Sequence, residues 1–523
     1  MAAHRKAAHL KSTQRTRDPL LLGIDAGTSR VRALVFTPRG VVLSEGSRTA
    51  PTHRPRTGWA EQDPEGIWNA CCAAIRTALR PIDHPEDIRG LAIGSVGEAC
   101  VPLDAAGEPT YPAIAWYDER PISELGPLFH RISQDQLFEI TGLSADPTFT
   151  LMKLLWLRTH APDALARTSR ILNLTHYLAW RLTGVPGSDY TQASRSLALD
   201  LHRKQWASDL IREAGIDPSL FQQLRPLGAK LGTVAPDVAS MLGLPRDCAV
   251  GVGGHDHLVG ALAADALRPG TMLNSLGTAE AVTMALEYSS NDLELGRRGF
   301  NQGVVLVDDR TIPYVFGGFQ TSGASIEWFR GLFGQSIDHD DLIRSAEAIG
   351  PGADGVTFVP DLRGKLLPVP DPFARGAWFG LNADCDRATL YRAILEGLAF
   401  EARQSIDALS DIEGIPKVAT IRAIGGNTQN PLLMRIKASV YHQAITSAEM
   451  PEGTALGAAL LGGLAAGLWP DLRSAVDGLT VSYHRTDPVD DWVDCYAQKY
   501  REVFRPAYAA LRPLHHALHN LVV

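Results

Sequence analysis

Basic charge is not in excess in this 523-residue chain: 50 Lys and Arg stand against 58 Asp and Glu, for a net charge of −8. That balance gives no electrostatic case for nucleic acid or an anionic membrane, and neither is expected as a partner. Cysteine is scarce as well. Cys71, Cys72, Cys100, Cys248, Cys385 and Cys495 form no Cys-x-x-Cys pair and no disulfide-like spacing, the usage of a reducing, cytoplasmic setting. The longest apolar run, Ala455 to Leu468, is rich in Gly and Ala and too short to span a bilayer, so it reads as a buried helix. A signal peptide's apolar segment is missing too. Residues 1–19 are basic and polar, with no acid before Asp18. They read as a flexible tail, with an organelle-targeting segment as the alternative. Neither a G-x-x-x-x-G-K-[ST] phosphate loop nor the His-Arg-Asp and Asp-Phe-Gly set of protein kinases occurs, which removes those two classes.

Hydrophobic content of 45% and charged content of 21% fit a globular protein. The length exceeds what one core normally supports, so two domains are expected, over residues 20–262 and 263–523. The stretch that organises the chain is Gly251-Val-Gly-Gly-His-Asp-His257. Cys248 to Val252 reads as a buried strand, which the glycines end in a turn that side chains would block. Asp256 stands at the tip of that turn between two histidines, and by itself would be an Asx-turn aspartate. A metal pair at His255 and His257 is not expected, because no further His or Cys cluster follows at ligand spacing.

Two hairpins change the meaning of Asp256. Leu20 to Phe36 reads as two apolar strands joined at Ala26-Gly27-Thr28, and Met272 to Met284 repeats strand, Gly277-Thr278 turn and strand. Copies about half a chain apart imply a duplicated architecture. Each half would present backbone N–H groups at a loop, an anion nest suited to phosphate. Between them, Asp63 and Pro64 are placed to start a helix whose face carries Ile67, Cys71, Ala74, Ile75 and Leu79, so Cys71 and Cys72 read as packing residues. The strand Ile88 to Ile93 delivers Gly94-Ser-Val-Gly-Glu-Ala-Cys100 at its carboxyl end, where open α/β sheets bind ligands. Glu98 is the carboxylate of interest there, against the alternative of a solvated loop glutamate. Asp118 and Arg120 are either ion-paired or near a ligand.

Trp59-Ala-Glu-Gln-Asp-Pro64, Trp116-Tyr-Asp-Glu-Arg120, Gly254-His-Asp256, Gly277-Thr278, Asp371-Pro-Phe-Ala-Arg-Gly376, Leu395-Glu-Gly-Leu398, Gly425-Gly-Asn-Thr-Gln-Asn-Pro431 and Ala455-Leu-Gly-Ala458 occur in that order. In order and spacing they resemble the FGGY family of carbohydrate kinases, in the actin-like ATPase superfamily, over most of the chain from Leu20 onward. The resemblance implies an α/β fold of two actin-like (ribonuclease H-like) domains, sugar-binding and then nucleotide-binding, with the ligand cleft between them. It implies ATP-dependent phosphorylation of a hydroxyl on a small sugar or polyol, with Mg²⁺ as the cation. Asp256 would be the general base, with His257, Glu98, Gly97 and Asp118 on the sugar side. Thr28, Ser29, Gly277 and Thr278 would straddle the triphosphate, Arg32 would neutralise the γ-phosphoryl group, and Asp25 would orient Mg²⁺. Gly323 and Glu327 would border the nucleotide, and Gly426 and Asn430 the adenine. By the same resemblance Val185 to Ser194 is scaffold, and the helix opened by Glu452 lies behind the adenine loop. A homodimer is one assembly this allows.

Departures from the family pattern leave the sugar open. Xylulokinase-like members carry Met-His-Gly near Glu98, while glycerol kinases carry Arg-Glu-Thr, which aligns their glutamate with Glu98 and their arginine with Gly97. Thr148 stands where glycerol kinases have a substrate-contacting tyrosine, which argues against glycerol. Xylulose, fuculose, another ketose or deoxy sugar, and polyols such as xylitol all fit. Two readings from other classes are an actin-like nucleotide switch without a small-molecule substrate and a catalytically silent nucleotide or sugar sensor. The first leaves Glu98, Trp116 to Arg120 and the Gly-His-Asp turn without a purpose. The second sits poorly with an intact Asp256 and intact loops.

Overall fold

The computed structural model describes residues 18–319, 321–333, 338–450 and 452–522. All but the last two residues of the expected tail lie outside them. The first sheet runs through β1 (Leu20–Ala26), β2 (Arg30–Phe36), β3 (Val42–Thr49), β4 (Ile88–Ser95), β5 (Lys230–Thr233) and β6 (Ala249–Gly251), in the order β5-β6-β4-β1-β2-β3, with the short strand Gly254–His255 also paired to β4. β1 runs antiparallel to β2 and β2 to β3, while β1, β4 and β6 are parallel neighbours and β5 is antiparallel to β6. The inner strands are apolar on both faces, as with Leu21, Leu22 and Ile24 on β1, because helices cover both sides. One cover is α1 (Pro64–Leu79). Asp63 accepts from the Glu65 and Gly66 amides, Pro64 fills the first turn, and Cys71 and Cys72 are buried in packing. Two further helices, α2 (Thr150–His160) and α3 (Asp256–Ala263), bring residues to the cleft.

The second sheet repeats the first. It is built from β7 (Thr271–Leu276), β8 (Glu280–Ala285), β9 (Asn301–Val307), β10 (Arg310–Phe319), β11 (Thr420–Ile424), β12 (Ile445–Ala448) and β13 (Tyr483–Thr486), in the order β9-β10-β8-β7-β11-β12-β13. β7 is antiparallel to β8 and β8 to β10; β7, β11 and β12 are parallel neighbours, and β12 is antiparallel to β13. From β10 to β13 the order and strand senses are those of β3 to β5, with β9 added at the edge. This is the two-domain actin-like fold, and each Gly-Thr hairpin caps the carboxyl end of its sheet's central strand. Around the second sheet lie α4 (Gly323–Leu332), α5 (His339–Ile349), α6 (Arg387–Ser410) and α7 (Pro431–Tyr441).

One element departs from the expected arrangement. The Gly- and Ala-rich helix α8 (Gly453–Ala465) packs on β1, β4 and α3 of the first sheet instead of behind the Gly425–Asn430 loop. The sequence division at residue 262 therefore separates the two sheets but not this helix. The physical reason is backbone contact. A Cβ at Gly23 would overlap the Ala455 carbonyl, one at Gly90 the Gly462 carbonyl, and one at Gly457 the Val259 carbonyl. The C-terminal helix α9 (Arg505–Val522) is anchored by Tyr508 and His516, both on Asp371 Oδ2, at 2.8 and 2.9 Å.

Since backbone cannot yield as a side chain can, Gly90→Ala should destabilise the chain by at least the ~1–3 kcal/mol typical of overpacking. A urea or thermal unfolding midpoint reads this out. Gly126→Ala, where an added Cβ meets nothing within 4 Å, is the control that should not lower it.

Candidate active site

Gly254 and His255 pair with Gly94 and Ser95 at the end of β4, and Asp256 is the first residue of α3 instead of the tip of a free turn. The His257 amide donates to Asp256 Oδ1 at 2.7 Å, and His255 Nε2 lies 3.4 Å from the same oxygen. Burial pushes the Asp256 carboxyl up to about 7; the His257 amide opposes this, the nearby Glu98 adds to it, and Arg195 offsets part. Burial also holds His257 down to about 4, with the Arg195 charge adding to the effect, so its imidazole is neutral at neutral pH. The segment expected to be scaffold supports this turn directly. Asp189 accepts from the Thr191 and Gln192 amides, and Thr191 Oγ1 accepts from the His255 amide at 2.8 Å.

Glu98 adopts φ +63°, a left-handed conformation uncommon for a residue with a Cβ, and it is buried. It is not a solvated loop residue. Arg195 Nε donates to its Oε1 at 2.6 Å, and Thr150 Oγ1 donates to its carbonyl at 3.0 Å. Gly97 lies beside it, with an added Cβ only 3.0 Å from His255 Cδ2. Lys153, on α2, is fully buried nearby, and its Nζ has no hydrogen-bond partner among the described residues. Burial draws its amine down to about 8, with the Glu98 charge working the other way. Neither Arg195 nor Lys153 was anticipated. Arg195 is the residue directly after the segment read as scaffold, and Lys153 is the lone charge in Leu151-Met-Lys-Leu-Leu-Trp-Leu157. A cation inside an apolar helix was the available signal.

Asp25 and Arg32 are direct partners across the first hairpin. Burial, then the charges of Asp256 and Glu452, push the Asp25 carboxyl up to about 7. Arg32 is ion-paired with Glu452, just before α8, so its charge is already matched within the protein. At the hairpin tips, the Gly27 amide closes on Arg30 O at 2.9 Å and the Gly277 amide on Ala279 O at 3.0 Å. The amides of Thr28, Ser29 and Thr278 have no acceptor among the described residues. Thr28 Oγ1 accepts from the indole of Trp116 at 3.0 Å. Gly323 is drawn to the second tip, its amide 3.1 Å from Gly277 O, and Asn427 Nδ2 donates to the same oxygen at 2.9 Å. Behind them Glu280 accepts from Lys437, Asn274 and Ser322. Gly426 and Asn430 line a cavity of about 420 Å³ together with His339, Ile343 and Arg344 of α5.

Three expected site residues have their side chains engaged within the protein. Both Asp118 oxygens are taken by the Arg120 guanidinium at 2.9 and 2.8 Å and by the Ala60 and Arg120 amides. Its side chain is wholly buried and presents no free lone pair to the cleft. Asn430 lines the cavity but spends its amide inside the protein: Oδ1 caps α7 through the Leu433 amide at 3.0 Å, and Nδ2 meets Tyr391 Oη at 3.4 Å. Glu327 faces solvent on α4, paired with Arg330 at 2.8 Å.

Residues 20–263 match the N-terminal domain of the FGGY family of carbohydrate kinases, and residues 272–466 match its C-terminal domain. The chain belongs to the FGGY family of carbohydrate kinases. The kinase is 29% identical to the xylulose kinase of Bacillus subtilis (strain 168), over 87% of this chain and 90% of that one. It is 32% identical to the glycerol kinase of Bordetella parapertussis, over 87% and 91%. The crystal structure of xylulose kinase from Rhodospirillum rubrum superimposes with a TM-score of 0.85 at 28% identity, covering 95% of this chain and all of that one. The protein is thus an enzyme, a carbohydrate kinase that uses ATP as phosphoryl donor. Among the described residues no helix is long and apolar enough to cross a membrane.

The buried Asp118–Arg120 pair gives a direct contrast. Asp118→Ala removes one of the two carboxylates on the Arg120 guanidinium, leaving it over the Trp59 ring with Glu61 as its remaining ion pair at 2.7 Å, and should cost about 1.5–3 kcal/mol of stability, the worth of a hydrogen bond to a charged group. The sugar KM of the folded fraction should be unchanged; a raised KM at full stability would return Asp118 to the substrate side.

Proposed function

We propose that the kinase transfers the γ-phosphoryl group of ATP to a hydroxyl of a small ketose or polyol, with Asp256 as the general base. The observation that carries this reading is the position of Asp256. Its carboxyl senses Glu98 and Arg195 on one side and bears on Asp25, beneath the first hairpin, on the other. A hydroxyl held at Glu98 then comes within reach of a base whose raised value suits proton abstraction near neutral pH. Relatives named for xylulose and glycerol support a sugar or polyol acceptor. Gly97 and Thr148 stand where the glycerol-kinase pattern has an arginine and a substrate-contacting tyrosine, which favours an acceptor other than glycerol.

Phosphoryl transfer asks mainly for positioning and charge neutralisation. The free amides of Thr28, Ser29 and Thr278 supply donors for the phosphates. The Trp116 indole occupies an acceptor site on Thr28 Oγ1, which leaves that hydroxyl's own proton to donate to the nucleotide. Gly426 and the α5 cavity accept the adenine. Asp25 fits a magnesium site: it is an oxygen donor whose ionised form is unfavourable without a cation. Among the described residues no group of three or more His, Cys, Asp or Glu could hold a metal ion by itself, and Asp25 would share the ion with water and phosphate oxygens. When bound, Mg²⁺ neutralises charge on the phosphates. Arg32 stays with Glu452 in this scheme and holds the start of α8 against β2.

Asp256→Asn keeps size and polarity but cannot accept the proton, and kcat should fall by at least about 10²-fold. The nucleotide Kd should barely move, measured across a Mg²⁺ titration. Turnover close to wild type would remove the mechanism. In the wild type, the base works only when deprotonated and its folded value lies at about 7. The sugar kcat/KM should therefore fall about tenfold per pH unit below 7 and level off above it. An acid limb near pH 4 would show that Asp256 is ionised throughout and is not held as described.

A further inference from the structure

We propose that Arg195 binds the acceptor: the terminal nitrogens of its guanidinium donate to a substrate oxygen next to the one that Glu98 holds. This rests on the acceptor reading above and extends it to a residue and a ligand geometry. Arg195 uses one of its donors in the protein. Nε is committed to Glu98 Oε1 at 2.6 Å, and among the described residues no acceptor takes a hydrogen bond from either terminal nitrogen. Its guanidinium carbon lies over two rings, Phe149 from the first domain at 5.1 Å and Phe316 from the second at 5.2 Å. Of the Arg195 side-chain surface, 11% stays open. Neither terminal nitrogen is among the fully buried polar atoms that lack a partner, so both can be reached by acceptors from the pocket. Asp256 is close enough for the Arg195 charge to lower its carboxyl, so an acceptor at those nitrogens is also beside the base.

The surrounding space supports the same assignment. A Cβ at Gly97 would stand 3.5 Å from Arg195 Cγ and 3.0 Å from His255 Cδ2. A side chain at Gly97 would therefore compete with Arg195 and His255 for one volume, and the glycine keeps the donor edge open. Glu98 accepts and Arg195 donates, side by side, although they come from segments 97 residues apart. That pairing fits two adjacent oxygens of an uncharged substrate, a vicinal diol or an α-hydroxy ketone. The hydroxyl faces Glu98, and its neighbour, hydroxyl or carbonyl, faces Arg195. His255 and His257, both held neutral by burial, add no charge to the wall.

The test uses the full-length enzyme, Arg195→Met and Arg195→Lys, with coupled ADP release over a panel of ketoses and polyols. For the accepted substrate and its analogue lacking one of the two oxygens, kinetics are compared in each protein. Arg195→Met should raise the sugar KM by about 10- to 100-fold, the worth of a hydrogen bond to a charged group, with the ATP KM within about twofold. Wild type should discriminate against the deoxy analogue, and Arg195→Met should discriminate at least about tenfold less. A purely structural role would lower the melting temperature and kcat but leave that discrimination intact. Should Arg195→Met fail to fold, Arg195→Lys, which keeps the charge and loses the fork, carries the same comparison. A folded variant with unchanged sugar KM and unchanged discrimination overturns the role of Arg195 alone. A wild type that turns over no member of the panel overturns the acceptor reading, and the proposal with it.

Discussion

The backbone-to-backbone seating of α8 on the first sheet is the contact on which the site depends. Glycines at Gly23, Gly90 and Gly457 let helix and strands approach until carbonyls occupy the space of missing Cβ atoms. That closeness carries the chain of the second half back under the first hairpin. Glu452 reaches Arg32 there, and Thr454 Oγ1 donates to the Asp256 carbonyl at 3.3 Å. The charges of Asp256 and Glu452 consequently bear on the Asp25 carboxyl.

The carboxylates of Asp25 and Asp256 are left in an unfavourable state by design of the fold. Burial raises both to about 7, and few local donors compensate it. A substrate hydroxyl at Asp256 and a cation near Asp25 would relieve the cost, so ligands complete an electrostatic arrangement the protein leaves unfinished. By contrast, the charges with structural duties are saturated. Asp118 and Arg120 satisfy one another, and Lys437 and Glu280 lock the second hairpin at 2.7 Å. The contrast between saturated and unsaturated buried charge separates strut from site.

The two domains also meet beside Arg195 and His257 through aromatic contact. Phe316 of β10 lies over Arg195 at 5.2 Å and against His257 at 5.6 Å between ring centroids. The surroundings of Arg195 therefore include a residue from the second domain.

By itself the sequence determined what depends on local chain chemistry. The Gly-Thr hairpins, the strand leading to Asp256 and the Asp63 cap follow from apolar runs and turn residues a few positions apart. The duplicated plan followed from comparing two such segments. Tertiary structure alone decided which polar groups remain free. The resemblance put Asp118, Asn430 and Glu327 at the site, but each is engaged within the protein: Asp118 with Arg120 and the Ala60 amide, Asn430 with the Leu433 amide and Tyr391, and Glu327 with Arg330. Arg195 and Lys153 gave little local sign, because their meaning comes from Glu98, 97 residues before Arg195. The placement of α8 belongs to the same class. A Gly- and Ala-rich helix announces close packing, but its partner is whichever strands also lack side chains, and only the folded chain brings them together.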